Sequence, residues 1–171
     1  ENTDVFGLQA AYLKEIDNSL HKSALIIGAG GVSPSVILSL QKSGIKEISI
    51  TNRTNEKCIF LKKKFNYLNI LPWSSLEDEI KNFDIIINAT SLGLKNDDKI
   101  NLDEFKIGKN KLFYDVIYNP SETNFLNLGK KLGNKYENGK LMFIYQAFSA
   151  FKLWHGIEPS INEETIKILD R

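Results

Sequence analysis

The sequence has almost none of the residues that staple or metallate a small protein. Its 171 residues hold one cysteine, Cys58, and two histidines, His21 and His155. An internal disulfide is therefore impossible, and no Cys/His cluster has the spacing of a structural zinc site. One thiol fits a reducing compartment, so the cytoplasm is the expected location. No apolar run reaches the roughly 20 residues of a membrane span, and no basic segment followed by an apolar one opens the chain. Charge of one sign is missing too: 22 basic against 21 acidic residues leave +1, which gives no global field for nucleic acid or an anionic membrane. Any anion must be met by local groups. No repeat, low-complexity tract or linker divides the chain, so residues 1–171 are expected to form one domain.

What is present is a 42% apolar composition, enough for a sizeable core, cut into short runs. Ala24–Ile27 and Asp84–Asn88 read as strands buried on both faces, with further strands at 47–51 and 111–116 and a weak one near 69–71. Helical spacing predicts helices over 4–17, where Thr3 and Asp4 suit a first-turn cap, and over 33–42, about 54–65, about 75–81, 122–132, 139–155 and 162–170. A polar loop is expected through Asn96-Asp97-Asp98-Lys99. Strands alternating with helices predict an α/β fold: a Rossmann-like, doubly wound parallel sheet with C-terminal helices.

Gly28-Ala29-Gly30-Gly31-Val32 lies between the first strand and its helix. Glycines there allow a tight turn and a close approach of backbone to a pyrophosphate, and free amides at the helix start supply donors. Ser33 replaces the third glycine of the usual pattern, and Pro34 suits an early helical position. The second strand bears on which nucleotide binds. NAD sites carry an acid roughly 20 residues after the loop, whereas this chain reads Asn52-Arg53-Thr54 with Lys57 just beyond. A guanidinium there offers planar, charge-assisted donors to a 2′-phosphate, so NADP is the expected cofactor. A solvated basic turn is the plainer alternative. Thr90 and Ser91 follow a buried strand at its carboxyl end, where open sheets place ligands, although turn formation would use the same residues.

Four further segments share one resemblance. Asn2-Thr3-Asp4-x-x-Gly7, Asn88-Ala89-Thr90-Ser91-x-Gly93, Asp115-x-x-Tyr118-x-Pro120 and Gly139-x-x-Met142-x-x-x-Gln146 are similar to motifs of the shikimate dehydrogenases. With the glycine loop and Asn52-Arg53-Thr54 in the same order, the resemblance covers almost the whole chain. It implies an NADP-binding domain whose segments 1–17 and about 139–171 face a second domain. That domain, an N-terminal substrate domain carrying a catalytic lysine, is expected to be absent here. The implied reaction is reversible hydride transfer between NADPH and the C3 carbonyl of 3-dehydroshikimate, giving shikimate. The resemblance makes Asp4 the lysine's partner in proton transfer and gives Tyr118 and Gln146 to the substrate. It puts Val116, Gly139 and Met142 by the nicotinamide.

Each of these has a plainer alternative. Asp4 is also a helix-start carboxylate, Tyr118 an amphipathic filler, and the face of Gly139, Met142 and Gln146 a packed helix side with Gln146 in solvent. Two rival functions stand beside the first: a quinate/shikimate dehydrogenase using NAD, and a nucleotide-binding module without chemistry. His21 is expected at the surface, His155 at a helix end before Gly156, Cys58 packed, and Lys62-Lys63-Lys64 on a solvated helix face.

Overall fold

The computed structural model describes residues 2–13, 16, 17, 19–95, 98, 100–102 and 107–168. Its elements run α1 (Thr3–Ala11), β1 (Ser23–Ile27), α2 (Ser33–Lys42), β2 (Glu47–Thr51), α3 (Asn55–Lys64), β3 (Asn69–Ile70), α4 (Leu76–Glu79), β4 (Ile85–Asn88), β5 (Leu112–Asp115), α5 (Asn124–Lys131), β6 (Lys135–Glu137), α6 (Lys140–His155) and α7 (Glu163–Ile168). The strands form one sheet in the order β3-β2-β1-β4-β5-β6, and every pairing is parallel. This is the doubly wound arrangement expected from the alternation of elements.

The apolar runs explain why β1 and β4 are central. Ala24 and Ile26 join one core cluster with α1, α2, α3 and α6 residues. Leu25 and Ile27 point the other way, to Leu76, Ile80, Phe113 and Phe125. A strand covered on both faces has no solvent side, which is why residues 24–27 and 85–87 are apolar throughout. Each fully buried Leu or Ile contributes about 1.5–3 kcal/mol. The entry to β1 is fixed by Asp84, whose carboxylate accepts from the amides of Lys22 (2.8 Å) and Ser23 (3.0 Å).

The sheet departs from the sequence reading in several places. Helix α1 ends at Ala11 rather than 17, although residues 14 and 15 lie outside the described set. Tyr12, the C-cap, and Leu13, in a 3-10 turn, stay buried, and Tyr12 stacks on Tyr114 of β5, centroids 4.3 Å apart. The cap of α1 is Asn2, not Thr3 or Asp4: its Oδ1 accepts from the amides of Asp4 (3.0 Å) and Val5 (3.3 Å). The helix expected at 75–81 is α4 with a 3-10 turn on each side, Trp73–Ser75 and Ile80–Asn82. Strand β6 had no counterpart in the sequence reading.

His21 is buried, not at the surface, and its Nδ1 accepts from the Asp17 amide at 3.0 Å. Lys62 leaves the solvated face by donating to the Leu68 carbonyl at 2.6 Å, while Lys63 and Lys64 remain exposed. Cys58 is packed, and burial pushes its thiol pKa up. Gly156, with φ +66°, ends α6 after His155 in the left-handed conformation. Of the expected polar loop, Asn96, Asp97 and Lys99 lie outside the described residues, as do 169 and 170 of the last helix. Among the described residues no helix is long and apolar enough to cross a membrane, and no group of His, Cys, Asp and Glu could hold a metal ion.

Candidate functional site

Strand order reverses between β1 and β4, and such a reversal opens a crevice beyond the carboxyl ends of the two strands. The glycine loop forms one wall of it. Gly28 has φ +112°, a conformation side chains resist, and a Cβ there would lie 2.6 Å from the Thr90 methyl and 2.8 Å from the Ala89 carbonyl. Ser33, in place of the third glycine, donates its buried hydroxyl to the Gly28 carbonyl at 2.9 Å and fixes the loop against α2. A Cβ on Gly31 would meet nothing within 4 Å. Among the described residues the amides of Gly30, Gly31 and Val32 donate to no protein atom, whereas those of Gly28 and Ala29 are used. Three free amides at the N-terminus of α2 make a concavity suited to a phosphate.

The Asn52-Arg53-Thr54 segment is tied to this loop. Asn52 Oδ1 accepts from the Ala29 amide at 3.2 Å, and its Nδ2 donates to the Thr54 carbonyl at 2.9 Å. Arg53, between these anchors, is exposed and makes no hydrogen bond or ion pair among the described residues. A groove of about 480 Å³ runs from Ala29, Gly30 and Gly31 past Pro34 to Lys57 and Lys64, with Glu56 on the same wall. The residues present therefore fit a dinucleotide with a further phosphate: free amides at one end, exposed cations at the other. Lys64 and Pro34 were missed as groove residues. Lys64 lies in a lysine run whose sequence does not distinguish groove from solvent.

The second group of predicted residues surrounds the carboxyl ends of β4 and β5. Thr90 uses its hydroxyl within its own turn, donating to Asn88 Oδ1 at 2.7 Å and accepting from the Leu92 amide at 3.0 Å. Ser91 beside it is exposed. Gly139 meets the chain after β5: its amide donates to the Ile117 carbonyl at 3.0 Å, and a Cβ on it would overlap the Val116 carbonyl. Met142 is buried in the core cluster that backs Val116. Tyr118 stacks on Phe143 of α6 with centroids 4.9 Å apart, so the loop after β5 rests on that helix. Helix α1 crosses α6 at Gly7, where a Cβ would lie 2.6 Å from the Met142 carbonyl and 3.2 Å from Gln146 Cβ. Asp4 stands one turn before that crossing and is half-buried; with Asn2 as the cap, its carboxylate has no hydrogen bond or ion pair among the described residues.

A network that the sequence reading did not assign joins these loops. Asp115, at the end of β5, accepts at both oxygens from Asn88 Nδ2 (3.1 Å each), from the Thr123 hydroxyl at 2.6 Å and from the Ile117 amide at 3.0 Å. Burial pushes the Asp115 carboxyl up to about 6, against the lowering effect of those hydrogen bonds. Only donors face it, which holds it ionised at neutral pH.

Its folded pKa exceeds the roughly 3.9 of an unfolded Asp, so the native state binds the extra proton between about pH 4 and 6. Stability is then highest below that window and falls as pH rises through it, by roughly 2 kcal/mol between pH 4.5 and 7. Urea unfolding of wild type and Asp115→Asn at pH 4.5 and 7 checks this. The difference between the two proteins should change by about that amount, and a constant difference would remove the assignment.

The model of the shikimate/quinate 5-dehydrogenases matches residues 11–124, and that of the shikimate 5′-dehydrogenase C-terminal domain matches 141–163. A protein of Pelagibacter ubique, shikimate dehydrogenase (NADP(+)), is 51% identical over 170 residues, 99% of this chain and 63% of its own length. The crystal structure of shikimate dehydrogenase from Aquifex aeolicus aligns with a TM-score of 0.85 at 36% identity, covering 99% of this chain and 61% of that one. Quinate dehydrogenase from Corynebacterium glutamicum in complex with NAD aligns with a TM-score of 0.86 at 27% identity, over 100% of this chain and 63% of that one. The chain thus spans about three-fifths of the length of the relatives it matches. With this fold, this order of motifs and these matches, the chain belongs to the shikimate/quinate dehydrogenase family.

Proposed function

We propose that this chain is the NADP-binding part of a shikimate dehydrogenase, and that residues 1–171 act as one cofactor domain. The observation that carries the reading is the pair of Asn52 hydrogen bonds, which tie the turn bearing exposed Arg53 to Ala29 of the glycine loop, next to its three free amides. The amides of Gly30, Gly31 and Val32 receive the pyrophosphate. Arg53 and Lys57 receive the 2′-phosphate, with Asn52 and Thr54 shaping that turn. When bound, NADPH supplies the hydride that reduces 3-dehydroshikimate to shikimate.

The remaining residues serve the substrate side. Val116, Gly139 and Met142 back the nicotinamide, and Ser91 and Thr90 form the crevice lip. Tyr118 and Gln146 orient substrate hydroxyls, for which an amide that both donates and accepts is suited. Asp4 holds its carboxylate toward a lysine supplied by the relatives' further two-fifths and aligns the proton that meets the developing oxyanion. The apolar flank of α6 and α7 supports packing of that further domain. Phe151, Trp154, Ile157 and Ile168 are exposed there, Trp154 by 80%, and a patch of this kind marks an interaction surface.

The NAD-using quinate/shikimate reading has the Corynebacterium glutamicum likeness in its favour. The chain offers no carboxylate at Asn52-Arg53-Thr54 to accept from ribose hydroxyls. Calorimetric titration of the purified chain with NADP and with NAD separates the two. NADP should bind at least about tenfold more tightly, and a preference for NAD would overturn the assignment. Half a cleft does not hold the reacting atoms together, so shikimate oxidation by the 171-residue chain alone should be undetectable at micromolar protein. Robust turnover would show that the lysine partner lies within it.

A further inference from the structure

We infer that Asp115 is a positioning residue for the nicotinamide end of the dinucleotide, one buried carboxylate that sets the loop after β4 against the loop after β5. This rests on the NADP reading above. Its three partners each hold a residue or loop of the crevice: Ile117 holds Gly139, and Asn88 and Thr123 hold the loop of Thr90. Oδ1 holds the Ile117 amide at 3.0 Å; the carbonyl of that residue accepts from Gly139 at 3.0 Å, which presses Gly139 onto Val116. Through Asn88 Nδ2, Asp115 turns Asn88 Oδ1 toward the Thr90 amide (3.0 Å) and hydroxyl (2.7 Å). Through Oδ2 it holds Thr123, whose methyl would lie 3.3 Å from a Cβ added to Gly93, on the same loop as Thr90. None of these partners is on the glycine loop or on Asn52-Arg53-Thr54, whose own anchors are Ser33 and Asn52; the two regions meet where Gly28 approaches Thr90.

Asp115 is fully buried and therefore touches no ligand; its influence passes through Ile117 and Asn88. A carboxylate is the group that accepts from three donors at once, Asn88 Nδ2, the Thr123 hydroxyl and the Ile117 amide, and turns no donor of its own toward them. An amide in its place turns an N–H toward one of them and leaves that donor unpaired.

The test compares NADP with 2′-phospho-ADP-ribose, which lacks only the nicotinamide, by calorimetry on the whole chain. Asp115→Asn should weaken NADP about tenfold, the scale of one buried hydrogen bond to a charged group. It should weaken 2′-phospho-ADP-ribose less than about twofold. If Asp115→Asn does not fold, Thr123→Val removes one donor and should give a smaller loss of the same selectivity, which Thr123→Ser, keeping the hydroxyl, should restore. Equal losses for both ligands, or none for either, would overturn the positioning role while leaving the dinucleotide site standing. A wild-type chain that binds neither ligand would overturn both.

Discussion

Replacing Arg53 by Asp should cost NADP at least about 100-fold in affinity while NAD binding holds or improves. The loss has two sources. Arg53 follows Asn52, which is bonded to both Ala29 of the glycine loop and Thr54, and its guanidinium offers planar, charge-assisted donors to a 2′-phosphate. A charge-assisted contact to a phosphate contributes roughly 1.5–3 kcal/mol. The new carboxylate adds repulsion of a dianionic 2′-phosphate, partly screened at physiological ionic strength because Arg53 is exposed. The same carboxylate can accept from unphosphorylated ribose hydroxyls, as in NAD sites. Lys57 and Lys64 on the groove remain, so residual NADP binding should be salt-sensitive. Calorimetry at low and high ionic strength reads both effects, and an unchanged NADP affinity would remove Arg53 from the site.

Gly139→Ala should destabilise the chain by at least about 3 kcal/mol and abolish measurable dinucleotide binding. The added carbon would overlap the carbonyl oxygen and carbon of Val116. These are backbone atoms, and no rotamer change relieves the clash. Val116 cannot retreat, because its amide donates to the Asn88 carbonyl at 3.1 Å and the next residue is held by Asp115. Relief must come from moving the start of α6, which breaks the Gly139 to Ile117 hydrogen bond and loosens the crossing with α1 at Gly7. Thermal unfolding and titration together test this. A variant with wild-type melting temperature would show that the approach of α6 to β5 is slack.

The legible parts of the fold were those whose physics is local. Helix α2 and strand β2 fall where the sequence predicts them, at Ser33–Lys42 and Glu47–Thr51. The glycine loop and Pro34 define the start of one, and Gly44 separates the two. Strand β6 was illegible because Lys135-Tyr136-Glu137 is short, lies at the sheet edge and has two exposed residues, so it carries no apolar alternation. The surface position expected for His21 was wrong and the burial of Tyr12 was not read, for a common reason. Their burial comes from partners, Tyr114 and the Asp17 backbone, that local sequence does not reveal.

The candidate site divides the same way. The glycine loop and Arg53 depend on a strand, a turn and a helix in succession, and sequence spacing suffices to find them. The Asp115 network depends on the register that sets Asn88 beside Asp115, 27 residues apart. Asn88 and Asp115 stood in two motifs and Thr123 in neither, and that Asn88 bonds to this buried carboxylate follows only from the pairing of β4 with β5.

The most direct test of the account is amide and guanidinium NMR of the chain titrated in parallel with NADP and NAD. Saturation with NADP should shift the amides of Gly30, Gly31 and Val32 together with the Arg53 Nε–H, and NAD should leave the Arg53 signal where it was. If NADP shifts neither the glycine-loop amides nor Arg53, this crevice is not where the dinucleotide binds.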